Sequence, residues 1–245
     1  MKITKRNIFR LIWFSLVAIF FIWQWTTYQS QNLPEDTFKS DTKVSVEKSS
    51  DEITFLANNS KNQNEIIFFQ GGLTDPKAYA PLCREIAENG FTCHLIKMDW
   101  RMPQWDYEKI ETMFDLKNGK YIIGGHSQGA KMASQFVYEN PDFMKGLFLL
   151  GTSHPRDFDL SNRILPTVKL YGELDGLASV SEVMENKNRL PKNTELIEIK
   201  GGNHSQFGYL GKLLTDETAE IDLIEQQRLT AQKLIEFFNK IETEN

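Results

Sequence analysis

Cysteine is scarce in this chain of 245 residues, which has only Cys83 and Cys93. Neither has another thiol near it in sequence, so a thiolate metal site is excluded and no metal is expected. Cys83 shares a helical face with Tyr79, Leu82 and Ile86, and Cys93 lies inside the apolar run F-T-C-H-L-I. Both read as small buried hydrophobes; a disulfide between them is the alternative if the domain lies outside the cell. A basic stripe is also lacking. Residues 1–10 hold Lys2, Lys5, Arg6 and Arg10 and no acid, whereas the other 235 carry 24 basic and 33 acidic side chains. An acidic body without a basic face excludes nucleic acid as a partner. No internal repeat or low-complexity block occurs, and 40% hydrophobic with 25% charged content is that of an ordinary globular chain.

Polar residues are nearly missing from one stretch. Ile8 to Trp25 reads I-F-R-L-I-W-F-S-L-V-A-I-F-F-I-W-Q-W, interrupted only by Arg10, Ser15 and Gln24. As a helix these 18 residues span about 27 Å, close to the ~30 Å hydrocarbon core of a bilayer. Arg10 can snorkel toward the basic end, and Trp23, Trp25 and Tyr28 gather at the far end, as aromatic residues do at membrane interfaces. No small-residue cleavage site follows, so residues 1–28 are expected to be an uncleaved anchor; a cleaved signal, with secretion of the body, is the alternative. Basic residues before the run and none just after it place the N-terminus inside and the body outside. Residues 29–42 are largely polar and read as a tether, leaving 43–245 as one domain.

In that domain, strand and helix signals alternate. Residues 43–48 and 52–57 read as an antiparallel pair; 65–70, 91–98, 120–125, 144–151, 167–172 and 194–200 read as buried strands. Helices are expected at 76–88, closed by Asn89-Gly90, at 105–116, at 128–139 ahead of Pro141, and from about 221 to 240. Short apolar runs between helices predict an α/β fold with a mainly parallel sheet covered on both faces. Only 14 residues separate Thr152 from Thr167, which leaves no room for a large cap domain.

The chemistry-bearing segment is G-G-H-S-Q-G-A, 124–130, between an apolar strand and a helix. Its Gly125-His126-Ser127-Gln128-Gly129 is a G-x-S-x-G turn, which lifts a serine to the top of a sheet. Serine needs a base, and the base an orienting acid, in the chain order Ser, Asp or Glu, His, each just past a strand end. Asp175 in Y-G-E-L-D-G and His204 in K-G-G-N-H-S-Q-F-G fit that order. Glu173 competes with Asp175. His94, inside a strand, reads as a core histidine, His126 as a possible pocket residue, and His154 as another without a clear acid. Alone, His204 would be a polar turn residue, or part of the glycosylation triplet Asn203-His204-Ser205. Oxyanion donors are expected from the N–H of Gln128 and from Gly72 or Leu73 in Q-G-G-L-T-D; the alternative for that loop is a plain turn.

Together F-F-Q-G-G-L-T-D-P-K-A-Y-A-P-L, G-G-H-S-Q-G-A-K-M-A, Y-G-E-L-D-G and G-G-N-H-S-Q-F-G resemble the α/β-hydrolase superfamily, and within it the small lidless bacterial, dienelactone-hydrolase-like members. The resemblance covers about 43–245. It implies an α/β-hydrolase sheet, here preceded by the one transmembrane helix expected from the apolar run, with no cofactor, and Ser127 as nucleophile, Asp175 as acid and His204 as base of a serine hydrolase. Gln128 stands where leucine is common. The loop K-M-D-W-R-M-P-Q-W, 97–105, is more polar than the family pattern, so Trp100, Arg101 and Trp105 are expected to shape a pocket. An ester of a small molecule or a lipid is the expected substrate. The other reading is a transacylase, lyase or non-catalytic binding module on the same fold.

Overall fold

The computed structural model describes residues 4–58 and 60–243. It opens with α1 (Lys5–Thr27), whose first N–H groups are capped by Thr4. The helix is long and apolar enough to cross a membrane, with a mean hydropathy of 1.7, and no residue of its most apolar window is buried in the protein.

The body is built on one eight-stranded sheet: β1 (Val44–Lys48), β2 (Glu52–Ala57), β3 (Glu65–Phe69), β4 (Cys93–Ile96), β5 (Tyr121–His126), β6 (Gly146–Leu150), β7 (Thr167–Gly172) and β8 (Glu195–Ile199), in spatial order β1-β2-β4-β3-β5-β6-β7-β8. β1–β2 and β2–β4 pair antiparallel; every later pair is parallel. The inner strands are buried on both faces, which is why they read as largely apolar runs rather than alternating ones, with His94 in β4 and Lys169 in β7 as buried polar exceptions. Ile66 and Phe68 of β3 face the layer of α2 (Ala80–Glu88) and α6 (Leu223–Thr243), while Ile67 and Phe69 face α4 (Gln128–Glu139). Because side chains alternate across a strand, each inner strand feeds two cores at once.

Three expectations change. The helix foreseen at 105–116 is broken into 3-10 turns at Pro103–Trp105, Tyr107–Lys109 and Leu116–Asn118, around one short turn of helix, α3 (Ile110–Met113). Asp106 turns back to accept the N–H of Asp99, and its backbone (φ −147°, ψ 6°) is not helical. A further helix, α5 (Val180–Asn186), starts at a capping box between Ser179 and Glu182 that the sequence displays three residues apart. Residues 29–42 are not a loose tether. Thr37 is buried, Phe38 packs on the core, and Arg84 holds both the Lys39 carbonyl and the Asp41 carboxylate.

Cys83 on α2 and Cys93 on β4 are both buried free thiols. Burial, reinforced by the neighbouring Cys93, pushes the Cys83 thiol well above its ordinary value.

Candidate active site

Ser127 occupies the turn between β5 and α4 with φ 54° and ψ −117°. A non-glycine residue in such a region stores about 1–3 kcal/mol and persists only where its surroundings hold it there. Here the Ser127 N–H donates to the Leu150 carbonyl at 2.9 Å, and the Lys131 N–H donates to the Ser127 carbonyl at 3.0 Å, opening the helix. The flanking glycines are sterically required. A methyl group on Gly125 would lie 2.2 Å from the Phe69 carbonyl oxygen, and one on Gly129 would lie 2.2 Å from that of Gln70. The end of β3 is therefore pressed against the turn, so the loop after β3 stands beside Ser127.

Beyond β7 and β8, Asp175 and His204 meet. His204 Nδ1 lies 2.9 Å from Asp175 Oδ2 and 3.1 Å from Oδ1, and both residues are buried. The carboxylate is itself held by the N–H groups of Leu177 and Ala178, at 2.9 and 2.6 Å from Oδ1. Glu173, the competing acid, points elsewhere and accepts the Gly201 N–H at 2.9 Å, bracing the turn that leads to the histidine. With Nδ1 engaged by a carboxylate, the imidazole keeps Nε2 free to take a proton. Ser127 Oγ, half-buried, forms no hydrogen bond with a described residue. Asn203 is buried, donating to the Glu217 carbonyl at 2.8 Å and clasped by Gln226, so the Asn203-His204-Ser205 triplet is inside the protein, where a glycan has no room.

Sequence reasoning missed a second carboxylate at this loop. Asp216 is buried and accepts the N–H groups of His204 (3.2 Å), Ser205 (2.8 Å), Gly176 (3.2 Å) and Glu217 (3.0 Å), as well as the Ser205 hydroxyl (2.5 Å). It ties the Asp175 loop to the His204 loop. Its only sequence signal is one of two adjacent acids in T-D-E-T, which looks like any exposed turn.

The loop Gln70–Asp75 is organised from below. Tyr79 Oη accepts the Gly71 N–H at 3.2 Å and lies 3.1 Å from Thr74 Oγ1, which donates to the Gly71 carbonyl at 2.8 Å. Tyr79 Oη is also 2.8 Å from His126 Nδ1. Since Thr74 spends its hydroxyl proton on Gly71, the arrangement closes when Tyr79 donates to Thr74 and His126 Nδ1–H donates to Tyr79. The Leu73 N–H is committed to the Arg101 carbonyl at 2.6 Å, which removes it as a free donor. The N–H groups of Gly72 and Gln128 have no partner among the described residues. They are neighbours, since a methyl group on Gly72 would sit 3.3 Å from Gln128 Cβ.

His126 is not a pocket residue. It is fully buried beneath the site, its ring centroid 4.5 Å from that of His204, and its Nε2 lacks a hydrogen-bond partner among the described residues. Burial, and secondarily the nearby His204, hold His126 well below the ordinary histidine range, so it is neutral. Trp100 and Trp105 stand on the surface near the site, and Trp105 lines a cleft of about 410 Å³ with Gln104, Gln128, Lys131, Met132 and Gln135. Two larger clefts, of about 470 and 500 Å³, lie near the amino ends of β7 and β8, at the opposite edge of the sheet from Ser127. Of the three, the smaller cleft is the one beside Ser127, because Gln128 lines it. His154 Nδ1 is buried without a hydrogen-bond partner among the described residues, and the side chain is pushed down to about 4 by burial and by neighbouring cations.

The α/β-hydrolase family model matches residues 65–228. Among solved structures, the chain is similar to alpha/beta hydrolase domain-containing protein 10 from mouse (12% identity, TM-score 0.56, covering 81% of this chain and 99% of that one). It is also similar to a bacterial heroin esterase (14%, 0.55, 84% and 87%). A third is MGS-MChE2, an alpha/beta hydrolase enzyme from a metagenome of lagoon sediments at Mar Chica, Morocco (13%, 0.59, 80% and 98%). A search of curated protein sequences returns no significant match. At these identities the neighbours speak to the fold, and it is the family match across two-thirds of the sequence that decides membership: this chain belongs to the α/β-hydrolase family.

Proposed function

We propose that this protein is a membrane-tethered serine hydrolase that cleaves a carboxylic ester or related acyl bond. The observation that carries the reading is the pairing of His204 Nδ1 with the buried Asp175 carboxylate at the strand ends beside a strained Ser127. Nε2 of His204 takes the Ser127 proton as Oγ bonds to the acyl carbon; hydrogen bonds of this kind tighten as substrate binds, so the unbonded Oγ is no obstacle. The tetrahedral oxyanion is held by the N–H groups of Gln128 and Gly72. Collapse breaks the bond to the leaving alkoxide, which takes the proton back from His204. Water then attacks the acyl-enzyme with His204 again as base, releasing a carboxylic acid and restoring Ser127.

Tethering rests on α1, a helix of 23 residues exposed along nearly all its length. We place the body outside the cytoplasm on the charge asymmetry around that helix. A fluorophosphonate probe is expected to label the folded wild-type protein and not Ser127→Ala; absence of label on Ser127 in folded protein refutes the serine mechanism. A non-catalytic binding role predicts instead that Ser127→Ala keeps every biological function.

A further inference from the structure

The end of α1 is built into the rim of the candidate active site. Its last residue, Thr27, is buried, and the Thr27 carbonyl accepts the Gly211 N–H at 2.9 Å. The next carbonyl, of Tyr28, accepts the Asp75 N–H at 2.8 Å, three residues beyond Gly72. Ser30 Oγ donates to the Asp75 carboxylate at 2.9 Å, and the Gln31 N–H donates to the Tyr209 carbonyl at 2.8 Å. Arg101 completes the joint, its guanidinium 4.8 Å from the Trp25 ring centre and donating to Gln29 at 3.1 Å. The loops after β3, β4 and His204 are thus each fastened to the helix or to the residues that follow it at once, with no slack between them.

The same rim is apolar. Outside α1, eight large hydrophobic side chains are exposed among the described residues, and six of them lie in loops that follow strands; Ile164 has run back to the amino end of β7, which leaves Leu73, Trp100, Trp105, Leu177 and Leu214 on loops at the carboxyl ends. Trp100 is 85% exposed and Trp105 67%. Leu73, Trp100 and Arg101 hold left-handed backbone with φ of 61°, 52° and 58°. Such backbone is costly for bulky residues, and here it spends that energy on turning an indole outward into solvent.

We infer that the mouth of the site faces the bilayer in which α1 is anchored and takes its substrate from it: an acyl ester of a membrane lipid, hydrolysed to a fatty acid and the residual alcohol or lysolipid. The inference rests on the serine-hydrolase reading and deepens it. A helix of 23 residues is about 34 Å long, more than the ~30 Å hydrocarbon core, so its last turn emerges at headgroup level. That turn touches the site's loops, which puts Ser127 close to the depth at which lipid ester carbonyls lie. Trp100 and Trp105 then occupy the interface, the preferred depth for indole.

The test uses the full-length protein in vesicles of dioleoylphosphatidylglycerol and dioleoylphosphatidylcholine. Cys83 and Cys93 are buried, so a nitroxide on Trp100→Cys reports alone, with Lys192→Cys, at the amino end of β8, as the control. The label at position 100 is expected to be relaxed by oxygen and shielded from a water-soluble nickel chelate, with the reverse at 192. Fatty acid is released from the vesicle lipids and falls by about a thousandfold or more in Ser127→Ala. Equal nickel access at both positions overturns the inference. So does cleavage of soluble p-nitrophenyl acetate, with Ser127 labelled by fluorophosphonate, when vesicle lipid stays intact; the hydrolase reading then survives. Failure to cleave either ester, with Ser127 unlabelled, refutes both.

Discussion

The contact between α4 and the end of β3 is among the tightest in the site and is direct to perturb. In Gly129→Ala the new methyl group would stand 2.2 Å from the Gln70 carbonyl oxygen and 2.4 Å from that of Phe69. Ordinary contact begins at 3.4 Å, so the helix start and the strand end must part by about 1.2 Å. Both neighbours are backbone and neither can swing aside as a side-chain tip would. Overpacking of this kind costs about 1–3 kcal/mol of stability. The larger consequence is geometric: the Gln128 N–H travels with the helix and the Gly72 N–H with the strand end, so the pair of donors opens. A displacement of about 1 Å at such a site costs on the order of 100-fold in rate. Thermal melts together with kcat on p-nitrophenyl acetate measure both effects. A variant that keeps wild-type kcat while losing stability would show that the two amides do not act together on the oxyanion, and one that loses neither would refute the close approach itself.

Other outcomes follow from particular side chains. Lys169, buried in β7 with its ammonium donating to the His154 carbonyl, is pushed down to about 7, chiefly by burial and then by Arg156. Between about 7 and the ordinary lysine value the unfolded chain holds a proton that the native one lacks, so stability rises with pH across that window. Lys169→Met is expected to abolish the rise and to raise the melting temperature at neutral pH; an unchanged slope refutes the assignment. His94 lies between Glu52 and Glu65; burial opposes its charge, but the two carboxylates outweigh that and raise it. Its contribution is fully present below the ordinary histidine value and lost as pH rises through the raised native one, so His94→Gln is expected to lower the melting temperature at pH 5 and little at pH 9. Asp175→Asn is expected to lower kcat by about 10⁴ with the fold intact, whereas Asp216→Ala, which strips buried amides of their acceptor, is expected to cost about 3 kcal/mol or more in a urea titration.

How much of this was legible beforehand varied with the kind of signal. The strands that carry the site were visible because inner parallel strands are apolar on both faces, so 65–70 and 167–172 announce themselves without any partner being known. The positions of Ser127 and Asp175 were legible for a related reason, since they stand just past β5 and β7, buried along their whole length, whereas His204 follows the half-exposed edge strand β8 and was placed by its order in the chain. The segment 105–116 misled because Tyr107, Ile110 and Met113, three apart, suit a 3-10 turn as well as a helix. The role of Asp216 was invisible, since an acid that collects amides from segments 12 and 40 residues away leaves no local pattern. The docking of residues 29–42 was hidden in the same way, for polar composition resembles a linker whether or not backbone groups find partners on the domain.

Two buried carboxylates flank one histidine, and their hydrogen bonds divide the labour between them. Asp216 is saturated: one oxygen takes N–H groups from Gly176, His204 and Glu217, the other takes the N–H and hydroxyl of Ser205. A carboxylate so occupied has no lone pair directed at an imidazole, and its charge is already balanced by dipoles that do not move. Asp175 is supplied differently. Leu177 and Ala178 engage only Oδ1, and Oδ2 makes its single bond to His204 Nδ1. Two backbone donors hold the acid in its orientation through Oδ1, and Oδ2 is left for the ring. In the proposed mechanism, positive charge developing on the imidazole would meet its counterion at 2.9 Å in a buried site, where the attraction is least screened. The first carboxylate fixes where the histidine backbone lies and the second fixes which way its ring faces, so the fold needs both, while in that mechanism only Asp175 would bear directly on proton transfer.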